Sequence, residues 1–261
     1  MTIRFYPEQA RDADCVAWWQ AVVAAGGTVS GVQLRSINTL IRALKASTVW
    51  SQLERLYVAG ENFTQFNTDL VSRAVGTNHG ATYAAAQGIK GNGSSTYWDS
   101  GFNTSTGTKF TQNSAHFGVW QNVAKTTGSD GIHGNVNTDA GTNGVYVDFS
   151  VGAGIATSRV NSTSGGGAQT VVNGIGFLMG NRTSSTSAPT WYNGSKSQDN
   201  SSASQTPQSL TLWIGGRNFA GSINQASNAQ VMAVSIGAGL SDAPAAALYN
   251  GLLAYKTAIG A

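Results

Sequence analysis

Cysteine is almost missing from this chain of 261 residues: the single thiol, Cys15, has no partner for an intramolecular disulfide and no neighbouring ligands for a metal site. Its expected place is that of a small apolar residue on a helix. Charge is equally sparse, with 15 Lys and Arg against 12 Asp and Glu, a formal net charge of +3. The basic residues are scattered and form no run, which excludes the clustered stripe that nucleic acid requires. No stretch approaches the ~20 apolar residues that cross a bilayer, so no membrane insertion is expected. Met1-Thr2-Ile3-Arg4-Phe5-Tyr6 lacks a basic region followed by an apolar core. The expectation is therefore a chain with no signal peptide, made in the cytoplasm. Glutamate is confined to Glu8, Glu54 and Glu61, so residues 76–261 contain none.

What is present is glycine, at 33 residues, with Ser, Thr and Asn crowding the segments after residue 76, and 41% hydrophobic residues that recur at regular intervals. That recurrence argues for a packed core and against disorder. From Asp12 to about Gly60 the apolar spacing is helical. Asp12 or Asp14 is placed to cap a helix carrying Val16, Trp19 and Val22 or Val23, closed by Gly26-Gly27. Ser30 is placed to cap a second, with Leu34, Ile37, Leu40, Ile41 and Leu44 on one stripe. Val49, Trp50, Leu53, Leu56 and Tyr57 suggest a third before Gly60.

From Ala81 onward the period becomes two. His116 to Val123 and Val145 to Val151 alternate as half-buried strands, and Gly174 to Met179, Pro189 to Tyr192, Leu210 to Ile214 and Gln230 to Ile236 are further candidates. Asn193-Gly194 suits a type I′ hairpin turn, because both central residues need positive φ. A last helix starts at Ser241, with Pro244 in its first turn and Leu248, Leu252, Tyr255 and Ile259 on its buried stripe. Many short strands with polar connections imply a sandwich or barrel. The expected organisation is mainly β, with a helical segment over residues 1–75 and a β-sandwich closed by a C-terminal helix over 76–261.

Three blocks sharpen this. Gly91-Asn92-Gly93-Ser94-Ser95-Thr96-Tyr97-Trp98-Asp99-Ser100-Gly101, then Trp191-Tyr192-Asn193-Gly194-Ser195, then Leu212-Trp213-Ile214-Gly215-Gly216-Arg217-Asn218 running to Gly239-Leu240-Ser241-Asp242-Ala243-Pro244, together resemble the concanavalin A-like lectin/glucanase superfamily in its laminin-G-like branch. The resemblance implies an antiparallel jelly-roll β-sandwich. Pro244 departs from it, standing where the closing helix usually starts with an acidic residue. The helical segment ahead of the sandwich, with Trp18-Trp19, Gly26-Gly27, Leu40 to Lys45 and Trp50 to Leu53, resembles a pairing in tail, fibre and other virion proteins of bacteriophages.

Chemistry is hard to find. Hydrolases of this superfamily place Glu, Asp and Glu along one strand, and no such spacing exists here. Asp99, Asp130, Asp139, Asp148 and Asp199 are dispersed, although glycoside hydrolysis needs two facing carboxyls. Gly-x-Ser-x-Gly is absent, and Cys15 is remote in sequence from His79, His116 and His133. Asp130, Asp139 and Asn135 to Asn137 share one loop-rich stretch, where Asx turns are favoured over calcium ligation. No cofactor and no catalytic or metal-binding residue is assigned.

Recognition remains: aromatic rings stack on sugar rings while amides bond their hydroxyls. The candidates are Trp98, Trp120, Asn122, Trp191, Tyr192 and Asn193, each weighed against a role in the core. The leading expectation is a non-enzymatic bacteriophage structural protein of the virion (tail, fibre, spike or surface decoration), assembled in the bacterial cytoplasm. Its partners would be other virion proteins and host-surface polysaccharide, in a homo-oligomer. The alternatives are a polysaccharide depolymerase or glycosidase, and a purely scaffolding subunit.

Overall fold

The computed structural model describes residues 11–126, 131–137, 143–150, 154–171, 173–197, 199 and 202–261. Among these residues helices α1 (Ala13–Ala24), α2 (Gly31–Ala46), α3 (Phe63–Asn67) and α4 (Asp242–Ile259) accompany seventeen strands. The strands run β1 (Leu53–Val58), β2 (Thr77–His79), β3 (Thr82–Ala84), β4 (Gly88–Lys90), β5 (Tyr97–Asn103), β6 (Ala115–Val123), β7 (Gly131–Val136), β8 (Gly144–Ser150) and β9 (Ile155–Ser162). They continue with β10 (Gln169–Thr170), β11 (Gly176–Arg182), β12 (Thr190–Tyr192), β13 (Ser195–Lys196), β14 (Thr211–Ile214), β15 (Arg217–Phe219), β16 (Ser222–Asn224) and β17 (Gln230–Gly237).

Sheet I has the order β13-β12-β11-β6-β17-β4-β3, with β1 also on β17. Sheet II has the order β10-β9-β8-β7-β14-β5-β2, with β15 on β7 and β16 on β15. Among the described residues every pairing between these strands is antiparallel except that of β15 with β7. The two sheets face one another as a jelly-roll-like β-sandwich, and Tyr57, Phe66, Trp98, Phe117, Val119, Phe149 and Val234 fill the space between them. A second core forms on the other side of sheet I. There Trp18, Ile37, Ile41, Leu248 and Leu252 of the helices meet Trp120, Met179, Trp191 and Met232 of the strands.

Local signals explain the helices. The Asp12 carboxylate accepts from Asp14 N at 2.9 Å, and Ser30 Oγ accepts from Gln33 N at 3.1 Å, each satisfying an otherwise orphaned first-turn donor. Gly260, at φ 71°, ends α4 in the left-handed region. Ser241 stands at the α4 N-cap without the side-chain bond expected of it, while Asp242 puts a negative charge at the positive end of the helix. The buried face of α1 is Cys15, Trp18 and Val22 rather than one built on Val16 and Trp19. Trp18 sets this choice, since its indole Nε1 donates to Thr68 O at 3.0 Å across the core.

The expected third helix is instead a short 3-10 turn, Trp50–Gln52, leading into β1. Leu53, Leu56 and Tyr57 fit a helical spacing, but pairing with β17 sends Leu56 into the helix-side core and Tyr57 into the space between the sheets. Residues 11–75 thus contribute β1 to sheet I and share a core with α4.

Candidate functional site

Helices cover the outer face of sheet I. Among the described residues none lies over the outer face of sheet II, and that face carries an ordered row of flat side chains. Inward-pointing Trp98, Val145, Val147 and Ile214 belong to the inter-sheet core, so alternation turns Tyr97, Asp99, Tyr146, Asp148 and Trp213 outward. Register aligns them. His79 pairs with Tyr97, Trp213 with Gly134, Gly134 with Tyr146, and Tyr146 with Arg159, while Arg217 also registers with Gly134.

The rings stand on edge. His79 and Tyr97 are stacked with centroids 4.3 Å apart at 16°, and Tyr97 and Trp213 with centroids 3.8 Å apart at 17°. Near-parallel rings this close lie face over face, one on each neighbouring strand, so their edges point to solvent. Trp213 is consequently only 5% exposed, Tyr97 is half-buried and His79 is exposed. The row continues with Tyr146 between two guanidiniums, Arg159 at 5.0 Å and Arg217 at 5.9 Å from its centroid. Burial holds the Tyr146 phenol above its ordinary pKa, and burial followed by the Asp99 charge does the same for Tyr97, so both hydroxyls stay protonated at neutral pH.

A polar base fixes the row. Trp213 Nε1 donates to Thr211 Oγ1 at 3.0 Å, and Thr211 Oγ1 donates to Asp99 Oδ2 at 2.9 Å. Arg217 Nη2 donates to Asn224 Oδ1 at 2.7 Å, which ties β15 to β16 within their hairpin, and β15 pairs in turn with β7. Gly134 is required beneath it: at φ 131°, an added Cβ would lie 2.1 Å from Val145 O and 2.7 Å from Tyr146 Cα.

The aromatics singled out from the sequence lie elsewhere, and three of them are closed to a sugar. Trp98 is 0% exposed, its Nε1 donating to Asn67 Oδ1 at 2.7 Å while its ring meets Tyr57 edge-on. Trp120 is 3% exposed and lies parallel to Tyr249 of α4 with centroids 5.6 Å apart, and Trp191 is 4% exposed in the same helix-side core. Burial removes the open ring face on which stacking depends, so these three indoles are core residues in this fold.

Tyr192 is half-buried and donates to Ile175 O at 2.5 Å. Asn193 and Gly194, at φ 47° and 79°, form the expected hairpin turn, with Asn193 Oδ1 accepting from Phe177 N at 2.9 Å. Asn122 Nδ2 donates to Gln87 Oε1 at 2.8 Å. The six residues form no common site. Asn135 is fully buried and donates to Leu210 O at 3.0 Å, while Asp130 and Asp139 lie outside the described residues. Among the described residues no group of three or more His, Cys, Asp or Glu side chains is placed to hold a metal ion.

Two histidines are sealed inside. His116 Nδ1 donates to Ala238 O at 2.5 Å and its Nε2 accepts from Ser235 Oγ at 2.7 Å. His133 Nδ1 accepts from Gly215 N at 3.1 Å, its Nε2 faces Gln121 Oε1 at 3.4 Å, and Gln121 Nε2 donates to Gly174 O, a chain that crosses from sheet II to sheet I. Burial pushes these imidazoles down to about 4 for His116 and about 3 for His133, so both are neutral.

Comparison with known proteins bears on the fold. No family model and no curated protein matches the chain. Among solved structures it is similar to Trypanosoma rangeli sialidase in complex with sialic acid, at 10% identity and a TM-score of 0.54, over 83% of this chain and 38% of that one. It is also similar to the botulinum neurotoxin serotype D binding domain, at 10% identity and a TM-score of 0.54, over 78% of this chain and 53% of that one. The chain thus spans 38% and 53% of these two relatives. At such identity the likeness concerns architecture alone, and what it establishes is an antiparallel β-sandwich.

Proposed function

We propose that this protein is a non-enzymatic, lectin-like recognition module that binds glycan on the outer face of sheet II, carried as a structural subunit of a bacteriophage particle. The observation that supports the recognition role is the on-edge row from His79 to Arg159. It offers imidazole, phenol and guanidinium edges to solvent on the face that no described helix covers. Sugar hydroxyls are bonded by such donors and acceptors, with rigid aromatic bodies holding them in place. The solved relatives, one titled as a complex with sialic acid and one as a binding domain, are compatible with this reading.

Spacing of carboxylates supports the non-enzymatic part. Asp99 on β5 and Asp148 on β8 share the outer face, but β14 and β7 separate them. Three strand steps place them at least about 14 Å apart. Hydrolysis uses pairs at roughly 5–5.5 or 6.5–9.5 Å.

A glycan array followed by titration calorimetry tests the reading. Tyr97→Ala should lower affinity while unfolding stays cooperative. Unchanged affinity in that variant, or release of reducing ends from a bound polysaccharide, contradicts the proposal. The particle role rests on the sequence resemblance, and labelled antibody on intact phage particles tests it: label on the particle supports it, and its absence there removes it.

A further inference from the structure

We infer that a second recognition site, separate from the outer face of sheet II, lies at one end of sheet I and takes a single neutral sugar ring.

Register brings this site together. Leu53 of β1 pairs with Gly237 of β17, Gly237 with His116 of β6, and Ala115 of β6 with Arg182 of β11, so four strands reach the same end of the sheet side by side. Just beyond those strand ends stand Gln52, Ser114, Thr183 and Gly239, which are far apart in sequence. With Thr48 after α2, and with Ser241 and Pro244 at the start of α4, they line a cavity of about 300 Å³ that opens to solvent. Such a volume is at the small end for ligand sites, roughly 300–1,000 Å³, and suits one ring rather than a chain.

Two properties of the lining set the ligand class. The first is open hydrogen-bonding capacity without charge. Ser241 makes no capping bond, and the Thr48 and Gln52 side chains make no hydrogen bond within the described residues. Ser114 Oγ accepts from Gly239 N at 3.0 Å, which leaves the hydroxyl proton free to donate. None of the lining residues is charged, and Asp242, next to Ser241, is paired with Lys196 Nζ at 3.2 Å. A phosphate or carboxylate would find no cation in this lining, whereas sugar hydroxyls meet several uncharged donors and acceptors.

The second property is a rigid frame. An added Cβ on Gly239 would collide with Arg182 O, so the connection from β17 to α4 is pressed onto the end of β11. Asn181 locks it there, donating to Leu240 O at 2.7 Å and accepting from Leu240 N at 2.8 Å. Thr48, β-branched yet at φ 63°, holds a side chain on the rim where glycine would sit with less strain. A site framed by locked neighbours gives up little freedom when it is filled.

Amide NMR of the full chain tests this, with the methyl glycosides of glucose, galactose, mannose and N-acetylglucosamine as probes and glucuronate as the charged comparison. At least one neutral glycoside should move the signals of Ser114, Thr183, Gly239 and Ser241 together, with a Kd on the order of 1 mM, and leave Tyr97 and Tyr146 unmoved. Thr183→Trp, which fills the cavity, should abolish the shifts. Ser241→Ala should weaken binding about threefold or more, consistent with loss of one uncharged hydrogen bond. Thr48→Gly should weaken binding without lowering the unfolding midpoint, a combination that a purely structural threonine would not give. If Thr183→Trp does not fold, the other two variants decide.

Absence of shifts at these four amides with every glycoside at tens of millimolar overturns the inference. So does tighter binding of glucuronate, or binding that Ser241→Ala and Thr48→Gly leave unchanged. If the shifts map to Tyr97 and vanish in Tyr97→Ala, this inference fails and the glycan-binding reading of sheet II survives. If they map to the cavity and Tyr97→Ala leaves them intact, this inference stands whatever becomes of that reading.

Discussion

Acid should weaken this protein well before its carboxylates are protonated, because two neutral imidazoles are locked inside it. The ordinary histidine pKa is about 6.5, and burial takes His116 to about 4 and His133 to about 3. A group whose folded pKa is depressed binds its proton first in the unfolded chain. Its stabilisation is therefore present above pH 6.5 and is lost as pH falls below that value, until the folded pKa is reached. At pH 5 both unfolded imidazoles are charged and both folded ones remain neutral, so each costs about 2 kcal/mol relative to pH 8. The sum of about 4 kcal/mol hardly depends on the folded values, provided both lie below 5. It is a large share of the roughly 5–15 kcal/mol that keeps a domain folded. Asp69 works in the opposite sense, since burial raises its carboxyl pKa despite bonds from Leu56 N and Ser72 N. Urea unfolding at pH 8, 6.5 and 5 measures the effect, with ring-proton NMR reporting each histidine. A fall of less than about 1 kcal/mol between pH 8 and 5, or two interior imidazoles titrating near 6.5 in the folded protein, would refute the argument.

Two further outcomes are expected. Gly134→Ala should destabilise by about 3 kcal/mol or more in urea unfolding, because a Cβ meets Val145 O at 2.1 Å from a backbone at φ 131°; a cost below about 1 kcal/mol would mean that β7 and β8 separate freely. Tyr255→Phe should cost about 1–3 kcal/mol in thermal unfolding, because the hydroxyl donates to Ala59 O at 2.5 Å and accepts from Gln33 Nε2 at 2.6 Å inside the seam between α2, α4 and β1; a neutral result would mean that these groups find other partners.

Features coded by neighbours in sequence were legible. Asp12 and Ser30 mark their helices, Asn193-Gly194 makes its hairpin, and His116 to Val123 is strand β6, although it is buried on both faces between the two cores rather than half-buried as its alternation implied. Leu53 to Val58 misled because three apolar residues fit either period, and only the β17 edge, nearly two hundred residues later, decides between them. The surface row was hidden for a related reason. His79, Tyr97, Tyr146, Arg159 and Trp213 become neighbours only through register, and none stands out where it occurs in the chain. Trp98, Trp120 and Trp191 drew notice by residue type, yet tryptophan at alternating strand positions is equally the means of filling a core.

The placement of β17 has a bearing on how the molecule assembles. It follows every other strand in sequence, yet it lies in the interior of sheet I, joined on one side to β6 and on the other to β4 and β1. Until Gln230 to Gly237 have been synthesised, sheet I is three unjoined pieces with open edges, and the tryptophans beneath the helices have only part of their cover. Such late, long-range closure favours slow folding and exposes strand edges to neighbouring chains. Crowded synthesis of many copies is the circumstance in which that delay would be felt most.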